Sequence, residues 1–109
     1  MNALFVCTYN QCRSRTAETI FGGAGAHQVR SVGTDEEAWA QLAARHVEWA
    51  DLIFVMEERH ATYLRKTFPT AVAGKRVICL HIPDEYEYMD AVLIHRLRDG
   101  VAPYMDVAP

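Results

Sequence analysis

Cysteine is scarce in this chain, with three in 109 residues. Disulfide frameworks carry an even number at higher density, so the count argues against a cross-linked scaffold and for a reducing, cytoplasmic setting. Long hydrophobic runs are missing as well. The most apolar stretches, Leu52 to Met56 and Val77 to Ile82, have strand length, far short of the ~20 residues that span a bilayer. No basic segment leads into an apolar one between Met1 and Phe5, so no signal peptide and no membrane partner are expected. Neither sign of charge dominates: 14 acidic and 11 basic residues give a formal charge of -3, without a basic run. A nucleic-acid partner is therefore not expected. Repeats, linkers and low-complexity tracts are also lacking. With 50% hydrophobic and 23% charged residues, residues 1–109 read as one globular domain with a core of its own.

What is present is an alternation of strand and helix signals. Ala3 to Val6 reads as a short buried strand arriving at Cys7. Ala17, Ile20, Phe21 and Ala24 then fall at helical spacing, and Gly22, Gly23 and Gly25 end that helix. Val29 to Val32 is a second strand closed by Gly33. Asp35, Glu36 and Glu37 predict a helix start, with Trp39, Ala43, Val47 and Ala50 facing inward. Leu52 to Met56 is the third strand. A helix from about Glu58 carries Tyr63, Leu64 and Phe68 and stops at Pro69. Val77 to Ile82 is the fourth strand, ended by Pro83, and Met89, Leu93, Ile94 and Leu97 mark a last helix up to Gly100. Continuous apolar strands between helices mean a parallel sheet covered on both faces, an α/β sandwich with right-handed crossovers. Ligands of such sheets sit beyond the carboxyl ends of the strands. Two loops belong to that edge: Cys7 to Ser14, and Pro83 to Asp90.

The first loop, Cys7-Thr8-Tyr9-Asn10-Gln11-Cys12-Arg13-Ser14, separates Cys from Arg by five residues and opens a helix. A loop of that length curls so that successive N–H groups converge on a tetrahedral oxyanion, and the helix start adds favourable dipole. Arg13 supplies a planar fork for two phosphate oxygens. Cys7 would lie beneath the phosphorus, where the same positive surroundings favour the reactive thiolate. Ser14 is placed to hydrogen-bond that sulfur and Asn10 to brace the loop. Thr8, Tyr9, Gln11 and Cys12 complete the expected substrate-binding loop.

Val6 to Ser14, followed by Thr16-Ala17-Glu18, resembles the phosphate loop of the low-molecular-weight protein tyrosine phosphatases. Ser31-Val32-Gly33-Thr34 resembles the segment after that family's second strand, and Ala50 to Met56 with His60 the stretch through its third. A short group of predicted tyrosine phosphatases, sharing the late segment Ile82-Pro83-Asp84-Glu85-Tyr86-Glu87-Tyr88-Met89, is the nearest likeness. The resemblance implies a three-layer sandwich around a four-stranded parallel sheet. It also implies phosphomonoester hydrolysis with no metal and no cofactor, on a phosphorylated protein or small aryl phosphate. Cys7 carries over as nucleophile, Arg13 as phosphate ligand, and Asn10 and Ser14 as loop supports. Two departures stand out. Tyr9 occupies a place where the family usually has Gly, suited to unusual backbone angles, and the connection from Thr34 to Asp51 is short.

Phosphate monoester cleavage needs a proton donor opposite the nucleophile. The family's Asp-Pro pair is missing from the late loop, and Asp84, immediately after the strand, is the expected acid. Asp90 is the alternative, although its place before Val92 and Leu93 also suits a helix N-cap. Tyr86 and Tyr88 are candidate cleft walls or packing residues. In the family a second cysteine at the place of Cys12 can pair with the nucleophile on oxidation; a small inert residue is the other reading. Cys79 and His81 fall on one side of a strand, but two ligands make no metal site, and burial is expected for them. Glu57, Glu58, Arg59, Arg65 and Lys66 read as a solvated helix face, and Trp39 and Trp49 as core or contact surface. Two rival functions remain on the table: arsenate reduction, which relays oxidation through two further thiols, and non-catalytic phosphate or phosphoprotein binding.

Overall fold

The computed structural model describes residues 1–22 and 27–106, so Gly23, Ala24 and Gly25 of the first helix signal lie outside the described residues. In chain order the elements are β1 (Asn2–Cys7), α1 (Arg13–Phe21), β2 (Gln28–Gly33), α2 (Ala44–Trp49), β3 (Leu52–Val55), α3 (Glu58–Thr67), α4 (Pro69–Val72), β4 (Arg76–Cys79) and α5 (Ala91–Val101). Four strands form one sheet in the order β2-β1-β3-β4, all pairs parallel. The expected α/β sandwich is what forms.

The period of two along β1 divides the core. Ala3, Phe5 and Cys7 point to the face covered by α1 and α5, where they meet Ala17, Phe21, Leu93 and Leu97. Leu4 and Val6 point to the other face, with Val47, Ala61, Leu64 and Val72 from α2, α3 and α4. Phe5 stacks between Phe54 and Phe21, with ring centroids 4.9 and 5.6 Å away. Central β1 and β3 are therefore buried on both sides, which is why they read as unbroken apolar runs.

Four local expectations fail. Residues 35–40 form turns and bends rather than a helix, and α2 begins only at Ala44. Trp39 is 62% exposed as a result, and Trp49 is half-buried against Arg30. The fourth strand ends at Cys79, although the Leu80 and Ile82 N–H groups still bond to the carbonyls of Val55 and Met56. His81, at φ 55°, kinks the chain between them. Met89 lies before the last helix, which starts after Asp90. Cys79 is half-buried and His81 exposed, so neither is the core residue expected.

Candidate active site

The carboxyl end of β1 faces the point where the chain crosses from β2 to β3, the position in open α/β sheets where neighbouring loops diverge and leave a crevice. The cleft there is lined by Cys7, Tyr9, Gln11, Cys12, Arg13 and Asp84, and holds about 120 Å³. That volume suits a phosphate group and the atoms next to it rather than a whole drug-sized ligand, which takes several hundred Å³.

The loop after β1 is shaped from outside. Thr34, Asp35 and Trp39 donate their N–H groups to the carbonyls of Cys7, Thr8 and Tyr9 at 2.9, 3.0 and 3.2 Å. Three consecutive carbonyls are thus turned toward residues 34–39, the segment that was expected to be helical. Gly33 allows this approach, since a Cβ there would sit 2.5 Å from the Thr8 carbonyl oxygen and 3.0 Å from the Asn10 nitrogen. The sharp bend falls at Asn10, φ 57°, and not at Tyr9. Asn tolerates that left-handed conformation, so Tyr9 in place of Gly costs the loop nothing. The Tyr9 ring instead stands 46% exposed at the rim.

Inside the loop the Cys7 sulfur accepts the Asn10 N–H at 3.2 Å and lies 3.0 Å from Ser14 Oγ. Asn10 Nδ2 donates to Ser14 Oγ at 2.9 Å and to Ser31 Oγ at 2.8 Å, and Ser31 in turn donates to Glu18. Cys7, Asn10, Ser14 and Ser31 are buried and Glu18 is exposed, and among the described residues no buried side-chain nitrogen or oxygen lacks a partner. A fully satisfied network of this kind is rigid, because each lost bond would strand a desolvated group.

Arg13 is 2% exposed. Its Nη1 donates to Glu57 Oε2 at 2.7 Å and to the Ile82 carbonyl at 2.9 Å. Among the described residues no hydrogen bond occupies Nε or Nη2, the two donors that remain as a fork toward the cleft. Asp84 Oδ1 stands 3.8 Å from Nε. Glu57 was read from the sequence as solvated; it is the buried guanidinium's counter-ion. Burial raises its carboxyl pKa, but hydrogen bonds from Arg13 and Arg59 outweigh that and hold it at about 2. His60, named in the sequence only through the third-strand resemblance, supports the same corner. Its Nδ1 accepts the Glu57 N–H at 3.1 Å, so Nε2 carries the proton and donates to Thr8 Oγ1 at 3.0 Å. Burial, with Arg13 and Arg59 nearby, pushes His60 down to about 4.

Asp90 is not brought to the cleft. Its carboxylate caps α5, accepting from the Val92 and Leu93 N–H groups at 2.8 and 3.2 Å. Tyr86, expected as a substrate wall, does not line the cleft: its ring packs on the core and its hydroxyl accepts from Arg96 at 2.9 Å. Tyr88 bonds Thr19 through its hydroxyl and stacks with Arg15. Cys12 does line the cleft, its thiol pushed up by burial and by the neighbouring Asp84 and Cys7.

Sequence reasoning missed Glu57, His60, Ser31 and Gly33 as parts of this site. The pattern Ser31-Val32-Gly33 was visible as a resemblance, but nothing in the local sequence ties it or Glu57 to a loop elsewhere in the chain.

No family model and no curated protein matches the sequence, whereas solved structures do. The YwlE arginine phosphatase of Geobacillus stearothermophilus superposes with a TM-score of 0.70 at 22% identity, over 93% of this chain and 86% of that one. A low-molecular-weight protein tyrosine phosphatase from Streptococcus pyogenes gives 0.75 at 15% identity, over 96% and 93% of the two chains. The tyrosine phosphatase Wzb from Escherichia coli K30, in complex with phosphate, gives 0.67 at 19%, over 94% of each. The chain has the low-molecular-weight tyrosine phosphatase fold. In this chain the link between β2 and β3 runs over residues 34–51 and carries α2.

Proposed function

We propose that this chain is a cysteine-dependent phosphomonoester hydrolase acting on phosphotyrosine or a similar aryl phosphate. One observation carries the reading: a buried sulfur at the floor of a phosphate-sized cleft, with a buried guanidinium fork and a carboxylate converging on the same space. The tyrosine and arginine phosphatases among the structural neighbours support it.

In the proposed reaction, the Cys7 thiolate attacks phosphorus in line, forming the S–P bond as the P–O bond to the leaving group breaks. Asp84 gives its proton to the departing oxygen. The Ser14 hydroxyl and the Asn10 N–H hold the sulfur, while Arg13 and the loop amides take the three phosphoryl oxygens. Water then attacks the cysteinyl phosphate, losing a proton to Asp84, and phosphate leaves with the thiolate restored. Thr8 and Gln11 act through the loop backbone, and Tyr9 replaces Tyr86 as the aromatic wall. No step calls on a metal.

Arsenate reduction is less well supported, because it needs two further thiols near Cys7 and Cys79 does not line the cleft. All three cysteines are free, which fits a thiolate enzyme working in a reducing cytoplasm. Among the described residues no helix is long and apolar enough to cross a membrane. Hydrolysis of p-nitrophenyl phosphate by the reduced chain, abolished by Cys7→Ser, is the expected result. Phosphate binding without hydrolysis of aryl phosphate or phosphoarginine would leave a binding module instead.

A further inference from the structure

One cluster of reactive side chains stands outside the cleft and takes no part in the proposed reaction. Cys79 closes β4, His81 follows two residues later, and Glu58 opens α3. A thiol, an imidazole nitrogen and a carboxylate oxygen there all lie within 4.8 Å of one another. Two of the three were visible in the sequence and rejected as an incomplete set; the third comes from a helix start 21 positions before Cys79, which only folding brings near.

The spacing of a thiol–imidazole hydrogen bond here also suits two ligands of one ion. Cys79 Sγ and His81 Nδ1 are 3.6 Å apart. Zinc–sulfur and zinc–nitrogen bonds of about 2.3 and 2.05 Å at a tetrahedral angle put the two donor atoms about 3.6 Å apart. The kink at His81, φ 55°, is what returns its ring to the thiol after the strand has ended. Glu58 is exposed, so its carboxylate can close the last ångström by a change of rotamer.

We propose that Glu58, Cys79 and His81 form a zinc(II) site, with water as the fourth ligand. The thiolate and imidazole select zinc over magnesium or calcium, which prefer all-oxygen sets. On binding, zinc(II) replaces the proton of the Cys79 thiol, which passes to solvent, while His81 offers the lone pair of its neutral Nδ1. The ion joins the first turn of α3 to the end of β4. Glu57, the partner of Arg13, precedes one ligand, and Asp84 follows another by three residues. The site is thus a clamp between the two segments that flank the cleft, and it stands whether or not the cleft is catalytic.

Cobalt(II), titrated into the reduced, metal-free full-length chain, tests it. The expected result is a single equivalent bound, with thiolate-to-cobalt charge-transfer absorption and tetrahedral visible bands, both displaced by zinc(II). Cys79→Ser removes the charge-transfer absorption. His81→Ala and Glu58→Gln, both at exposed positions, each weaken cobalt binding at least about 10-fold. Cys7→Ser combined with Cys12→Ser leaves the spectrum unchanged. Three results would overturn the proposal: absorption that survives Cys79→Ser but disappears when Cys7 and Cys12 are replaced, wild-type affinity in both His81→Ala and Glu58→Gln, or no cobalt binding by the wild-type chain.

Discussion

Two loops meet at the same edge of the sheet and are built in opposite ways. The one after β1 turns its functional side chains inward: Thr8 and Asn10, with Arg13 and Ser14 of the first turn of α1, are each no more than 8% exposed, while Tyr9 and Gln11 stand at the surface. Its carbonyls are tied to residues 34–39 and its side chains to one another and to Ser31. The loop between β4 and α5 anchors Ile82 in the core but is largely exposed from Asp84 on, with Asp84 55% exposed on its side chain and Tyr88 and Met89 also exposed. It is pinned at its far end, where Met89 N–H donates to Thr16 Oγ1 and Asp90 caps the helix. Donors that hold an oxyanion work best when they need no reorganisation. An acid that must reach different leaving groups gains from freedom to adjust, and such contacts tighten only in the complex. On the proposed reading, anion binding and proton delivery are accordingly separable.

The separation can be broken in order of expected effect. Cys7→Ser should lower turnover at least about 10⁴-fold, a loss typical of removing a nucleophile, while calorimetry still detects phosphate binding. Loss of both together would mean that the sulfur organises the loop as well as reacting. Asp84→Asn should cost about 10²- to 10⁴-fold in kcat for phosphotyrosine, with phosphate affinity intact. The companion Asp90→Asn should leave kcat alone and cost about 1 kcal/mol of stability through the lost cap. If the two variants exchange behaviour in steady-state assays, Asp84 is not the acid.

Gly33→Ala probes the rigid loop from behind. Its Cβ would meet the Thr8 carbonyl at 2.5 Å, so urea unfolding should show a loss of about 1–3 kcal/mol, together with weaker phosphate binding. An equivalent strain in the exposed loop has no counterpart to measure. The smallest effect is a pH dependence. His60 falls from its ordinary 6.5 to about 4 on folding, so between those values the unfolded chain binds the extra proton. Its contribution is full above pH 6.5 and is lost as pH falls toward 4, by about 3 kcal/mol. Glu57, held at about 2, acts in the separate window below 4.5. Thermal melts between pH 7 and 4 should show the first slope, and His60→Gln should flatten it.

Legibility followed the range of the interactions. The strands at Ala3–Val6 and Leu52–Met56 were plain because burial on both faces leaves an unbroken apolar run. Cys7, Asn10, Arg13 and Ser14 were plain because one short loop carries them all at a spacing set by the curl of the backbone. Residues 35–40 were misread, since a run of acidic residues marks a helix start only when the following backbone is free to coil. Here its N–H groups are already committed to the loop after β1. Glu57 looked like any charge on a helix face because its partner, Arg13, is 44 positions away.

By itself, then, the sequence determined the order of elements, the parallel sheet and the loop that surrounds the sulfur, all properties written in local periodicity and spacing. Only the tertiary structure decided which carboxylate reaches the cleft, which one holds the guanidinium, and that Glu58 joins Cys79 and His81. Those outcomes depend on distances between segments far apart in the chain. Such distances are set by how the layers pack, and no window of neighbouring residues contains them.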